Sequence, residues 1–171
     1  MADNVVVGIV MGSASDWPSV EPAAALLKEW SIGVEVTVAS ANRAPKRVLA
    51  YAREAAGRGL QIIIAAAGAA AHLAGVLAAE TTLPVIGVPL PSSDLKGLDS
   101  LLATVQMPAG VPVATMALGA AGAKNAAIFA AQILALNDSR IRDILSGHKH
   151  LLEQKVVQQA EQIPPEYRRK E

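Results

Sequence analysis

The sequence predicts a three-layer α/β/α fold: a doubly wound parallel sheet of about five strands, followed by a C-terminal helical tail. Three observations predict it. Short β-rich runs alternate with helical patterns along the first four-fifths of the chain, as right-handed crossovers of a parallel sheet require. The runs at residues 5–11 (VVVGIVM) and 61–67 (QIIIAAA) lack polar alternation, as expected of strands covered on both faces. Beyond residue 138 the pattern becomes a long amphipathic helix with no further strand to pack on.

The first strand ends at the small polar loop Gly12-Ser13-Ala14-Ser15-Asp16. Ser15 or Asp16 can cap the next helix, with Pro18 in its first turn. Pro22 then calls for a helix start delayed to near Ser19, or a kink. Residues 34–39 (VEVTVA) form the second strand after the turn Ser31-Ile32-Gly33, and the loop SANRAP (40–45) follows. Val48, Leu49, Ala52, Ala55 and Ala56 recur at helical spacing until Gly57 and Gly59 end the helix. After the third strand, Gly68 leads into a helix of small residues over 69–80 that carries His72. A fourth strand is expected at 83–88, a helix at 99–105, a fifth strand at 113–118 and a helix at 123–136. That last helix has almost no bulky polar face, so burial on nearly every side is expected. In the tail, Ile141, Ile144, Leu145, Leu151, Leu152 and Val156 make the apolar stripe. Asp138 or Ser139 caps its start, Pro164-Pro165 ends it, and Gly147 divides it if it breaks at all. The expected organisation is one α/β domain over residues 1–137 and a helical extension over 138–171 that packs on neighbouring subunits or, equally for its first half, on its own domain.

Composition narrows the function. Fifteen basic and 15 acidic side chains give zero net charge, which argues against a general nucleic-acid partner. The absence of cysteine excludes disulfides, thiolate metal sites and a cysteine nucleophile. No apolar run reaches the roughly 18 residues of a membrane span, and the first residues lack a basic signal-peptide region. A cytoplasmic protein with no membrane partner is expected.

In an open parallel sheet the chemistry gathers where the loops leave the carboxyl ends of the strands. Here those loops cover 12–16, 40–45, 68–72, 89–94 and 119–124. The first offers backbone N–H groups and hydroxyls at a helix start, which suits a phosphate or equally serves only as a cap. Asp16 would repel a phosphate but can accept hydrogen bonds from ribose hydroxyls, and Arg43 can fork onto a phosphate or carboxylate or, as arginines more often do, form a surface ion pair. His72 stands at a helix start beside Gly68, placed either to orient a ligand or to pack. The dinucleotide fingerprint, the P-loop and the nucleophile elbow are all missing, and His72, His148 and His150 have no metal-ligand spacing. Metal dependence is not expected.

Together, the segments VMGSASDW, SANRAP, AAGAAAHLAG, PVIGVPL, LDSLLATVQMPAGVPVATMALG and GAKNAAIFAAQIL resemble, in order, the PurE proteins of purine biosynthesis. The resemblance spans roughly residues 5–136. It implies a flavodoxin-like sheet and a cofactor-free mutase that converts N5-carboxyaminoimidazole ribonucleotide to 4-carboxyaminoimidazole ribonucleotide through a trapped CO2 intermediate. It also implies a homo-octamer with sites at subunit junctions. The family branch that carboxylates aminoimidazole ribonucleotide with CO2 is the alternative enzyme, and a catalytically dead nucleotide-binding homologue or an oligomeric scaffold are the non-enzymatic ones.

Carried over by position, the resemblance assigns Gly12, Ser13, Ser15 and Asp16 to the ribose-phosphate end of the substrate. Ser40, Ala41 and Arg43 form the second ligand loop, with Arg43 toward the phosphate. Gly68, Ala69 and His72 surround the base and CO2, and Leu90 follows the turn that closes the site. One departure bears on chemistry. Where the family carries SAHRTP, this chain has SANRAP, so Asn42 occupies the place of the proton-transfer histidine. An imidazole exchanges a proton near neutral pH; a carboxamide does not. The resemblance therefore implies retained binding and impaired turnover, with His72 in a supporting role. Ala44 stands in place of a threonine, and Ala66, Ala69 and Ala74 where many members have Gly, Gly and Pro. At Ala69 this is costly if the backbone needs a positive φ.

Overall fold

A computed structural model describes residues 4–169. Residues up to Ala131 form one compact unit and those from Gln132 a second. In the first, five parallel strands, β1 (Val5–Met11), β2 (Gly33–Val38), β3 (Ile62–Gly68), β4 (Val85–Leu90) and β5 (Ala114–Thr115), pair in the order β2-β1-β3-β4-β5. Helices lie on both sides, so the doubly wound parallel sheet of the flavodoxin type is the observed fold. Winding reverses between β1 and β3, the place where such sheets open a crevice at their carboxyl edge.

The apolar runs become the centre of the sheet because every side chain in them finds cover. Val10 of β1 with Ile63 and Ala65 of β3 packs against Val48 and Ala52 of α2 (Pro45–Ala55) and Leu73, Ala74 and Leu77 of α3 (Leu73–Glu80). The alternate positions Ile9, Ile62, Ile64 and Ile86 are equally buried on the opposite face. On α1 (Trp17–Glu29), Val20, Ala23 and Leu27 are buried too. Small residues set the spacing. A Cβ at Gly8 would overlap the Tyr51 hydroxyl, which crosses above β1 to donate 2.8 Å to Glu35 on β2. Arg58 completes that edge by an ion pair with Glu35 and by stacking 5.0 Å above the Tyr51 ring.

Several boundaries differ from the sequence reading. Helix α1 begins at Trp17, not near Ser19, because a 3-10 turn over Ala14–Asp16 hands the chain directly into it with Pro18 at a tolerated early position. Pro22 then sits inside the helix and forgoes a single hydrogen bond. Helix α3 begins at Leu73 and not at 69, because Ala69 and Ala71 have φ of 52° and 45°, which no right-handed helix accommodates. Strand β4 lies two residues later than expected and includes Pro89 and Leu90. Pro89 is tolerated because β5 pairs only with Ile86 and Gly87, so no ladder bond is sought on that side. Strand β5 keeps two residues of the six expected. Its last link is Met116 N–H to the Gly87 carbonyl at 2.8 Å, after which the chain turns so tightly into α5 that a Cβ at Gly122 would overlap the Ala117 carbonyl.

Helix α4 covers Leu98–Val105, and α5 runs from Gly119 to Leu134, starting four residues before its expected origin. Only one face of α5 is buried, at Ala123, Ala126, Ala127, Ala130 and Ala131, while Ala120, Ala121, Lys124 and Asn125 are exposed. The expectation of burial on nearly every side was wrong for a single chain, since an alanine row seats a helix along one narrow line. In the second unit, α6 (Ser139–Glu161) is continuous, and the Asp138 carboxylate caps it by accepting from Ile141 N–H at 3.2 Å. Gly147 does not divide it: one exposed glycine costs about 1 kcal/mol, too little to break a helix of this length. Its stripe is buried only at Ile141, and Leu151, Leu152, Val156 and Val157 are exposed. Among the described residues no helix is long and apolar enough to cross a membrane.

Candidate functional site

At the switch point, the loops after β1, β2, β3 and β4 surround an open cavity of about 460 Å³, within the range of small-molecule sites. Its lining includes ten of the residues singled out in the sequence: Gly12, Ser13, Ser15, Asp16, Ser40, Ala41, Asn42, Arg43, Gly68 and His72. Ala67, Ala71, Leu73 and Ser92 line it as well. Ala69 and Leu90 do not; Leu90 is buried within β4, because the strand runs past the point where a turn was expected.

Each wall has its own local cause. In the first loop, Ser13 and Asp16 form a capping box: Asp16 accepts from Ser13 N–H at 2.9 Å, and the Ser13 hydroxyl accepts from Ser15 N–H at 3.3 Å. The Ser15 hydroxyl donates to the same Ser13 oxygen at 2.8 Å. Three polar side chains are thereby held at one turn. Partial burial pushes the Asp16 carboxyl above its ordinary value, opposed by the Ser13 N–H and by the nearby Arg43 guanidinium.

The second loop is closed by Ser40, whose hydroxyl accepts from Arg43 N–H at 3.2 Å and from Arg43 Nε at 3.3 Å. Arg43 Nη2 reaches across to the Gly12 carbonyl at 3.0 Å and so ties the β2 loop to the β1 loop. The two side-chain contacts fix the guanidinium at the cavity rim with N–H groups left to offer a ligand. Ala44 follows as the N-cap of α2 without any side-chain cap bond.

The third wall comes from the turn after β3. Gly68 approaches Ser92 so closely that a Cβ there would overlap the Ser92 side chain, so the glycine lets the β4 loop reach the cavity. Two residues in the left-handed region then bring His72 to the N-cap of α3. There His72 Nδ1 lies 3.0 Å from the Asn42 carboxamide oxygen. Sequence spacing could not have found this contact, since 30 residues separate the two. Ser92 was within reach of sequence reasoning as part of the loop at 89–94, but nothing there marked it out from its neighbours.

Taken together, the cavity offers a guanidinium, a carboxylate and hydroxyls beside it, and an imidazole–carboxamide pair against a small-residue wall. Among the described residues no cluster of three or more His, Asp or Glu side chains has metal-binding geometry.

Comparison with known proteins gives consistent relatives. A family model described as AIR carboxylase matches residues 6–155. The N5-carboxyaminoimidazole ribonucleotide mutase of Pseudomonas aeruginosa is 54% identical over 142 residues, covering 83% of this chain and 87% of that protein. The protein of the same name from Bacillus subtilis is 49% identical over 158 residues, covering 92% and 98%. Among solved structures, Treponema denticola PurE is similar with a TM-score of 0.82 at 29% identity, over 92% of this chain and 98% of that one.

Proposed function

The chain belongs to the AIR carboxylase family, and from that premise we propose that it binds N5-carboxyaminoimidazole ribonucleotide and isomerises it, slowly, to the 4-carboxy product in purine biosynthesis. The observation that carries this reading is the meeting of the Ser13–Asp16 turn, Arg43 and the Asn42–His72 pair around one cavity. In this reading Arg43 and the N–H groups of the first loop take the phosphate, and Asp16 accepts from the ribose hydroxyls. The base and the CO2 lie against Gly68, Ala71 and His72.

The chemistry asks for a proton carrier and little else. Cleavage of the N–CO2 bond needs a proton delivered to the amine nitrogen. The ring carbon then attacks the trapped CO2, and loss of the proton from that carbon restores the aromatic ring. The proton given up in the first step is returned in the last, so the reaction is balanced without a cofactor. A carboxamide at position 42 can hold a hydrogen bond throughout but cannot relay that proton. Losing a general acid–base group costs about 10²–10⁴-fold. Slow turnover with retained binding follows.

Octameric assembly is part of the same proposal, supported by the exposed apolar residues of α6. Binding is tested by calorimetry with 4-carboxyaminoimidazole ribonucleotide. The unaltered chain is expected to bind it, and Arg43→Ala to weaken it roughly tenfold to a hundredfold, the worth of a charged hydrogen bond to phosphate. The same change is expected to leave binding of the dephosphorylated nucleoside unaltered. No binding by the unaltered chain overturns the reading.

A further inference from the structure

The contact between Asn42 and His72 has a chemical consequence for the ring. Asn42 presents its carboxamide oxygen, which only accepts hydrogen bonds, 3.0 Å from His72 Nδ1. That arrangement favours the neutral tautomer with its proton on Nδ1, which leaves Nε2 with its lone pair. Among the described residues Nε2 has no hydrogen-bond partner. A bare imidazole nitrogen in a cavity wall can take up a proton and give it back. We propose that His72, through Nε2, carries the residual, slower proton transfer of this site in place of the missing imidazole at position 42, and that Asn42 is its positioning residue, fixing the reactive tautomer.

This rests on the isomerase reading above. Imidazolium at His72 gives its Nε2 proton to the amine nitrogen as the N–CO2 bond breaks. Neutral His72 then takes the proton from the ring carbon as the new C–CO2 bond is made, and the C–H electron pair returns to the ring. The charged groups that face the pair are Asp16 and Arg43, on the first and second loops.

The first test is independent of turnover. Nitrogen NMR of the folded chain, with His72 assigned through His72→Gln, is expected to show Nδ1 protonated and Nε2 bare in the neutral ring. Asn42→Ala is expected to return the ring to a mixture of tautomers. A neutral ring protonated mainly at Nε2 in the unaltered chain overturns the inference. The second test compares two backgrounds in the isomerisation assay. His72→Gln is expected to cost about 100-fold or more in the unaltered chain, as removal of a general base does. In an Asn42→His background, where position 42 carries its own imidazole, the same change is expected to cost less than about tenfold. Equal losses in both backgrounds make His72 structural and overturn the inference. If Asn42→His itself is inactive on a bound substrate, the isomerase reading fails, and the tautomer measurement still decides the role of Asn42.

Discussion

Position 42 carries an asparagine where the family resemblance leads one to expect a histidine, and the turn after β3 carries a conformational cost of its own. Ala69 holds φ at 52°, a conformation worth about 1–2 kcal/mol against a residue with a Cβ. Part of that is offset by the freedom glycine gains in the unfolded chain. Ala69→Gly is accordingly expected to raise stability by about 0.5–1 kcal/mol, read as the midpoint of denaturant unfolding. At the sheet edge, Glu35 is held below its ordinary value of 4.5 first by its hydrogen bond from Arg58 and then by that from Tyr51, against partial burial. A depressed carboxyl adds stability that is full above the unfolded value and is lost as pH falls through the native one. The stability difference between the unaltered chain and Glu35→Gln is therefore expected to be constant above about pH 4.5 and to shrink below it. A difference that grows on acidification contradicts this account of the Glu35 contacts.

Among the elements, helix ends carry the clearest consequences. Helix α2 has Ala44 at its N-cap and no side-chain cap bond, while α6 has Asp138 in that role. Ala44→Thr is expected to stabilise by about 1 kcal/mol, measured by thermal unfolding. Gly147 sits in an exposed stretch of α6 with open space where a Cβ would stand. Gly147→Ala is expected to gain a similar amount in the same measurement. The sequence located the strands that periodicity and burial define, β1 to β3, within one residue of their observed limits. It misplaced elements where a residue of unusual backbone or a neighbouring strand decides the boundary. Ala69 and Ala71 delay α3 although alanine is a good helix former. Pro89 stays in β4 because β5 has already ended beside it. No single-chain pattern contains either fact.

For the molecule as a whole, sheet order was the step from legible loops to a legible site. Strand patterns name the loops that reach the carboxyl edge, and the order β2-β1-β3-β4-β5 decides which of them meet. That is why Gly12–Asp16, Ser40–Arg43 and Gly68–His72 were recoverable from sequence, whereas the Asn42–His72 contact and the reach of Ser92 were not. The exposed apolar residues point beyond the single chain. Leu95, Leu98 and Leu102 at α4, with Leu152 and Val156 on α6, are exposed on the single chain, and the proposed assembly would cover such residues. Light scattering is expected to give an octamer for the unaltered chain and a smaller species for the pair Leu152→Glu and Val156→Lys, with helicity retained. A monomeric unaltered chain contradicts the proposed assembly. The most direct test of the central claim is the isomerisation rate of the unaltered chain against that of Asn42→His, both saturated with N5-carboxyaminoimidazole ribonucleotide. The account predicts a gain of about 10²-fold or more on restoring the imidazole; equal rates would contradict it.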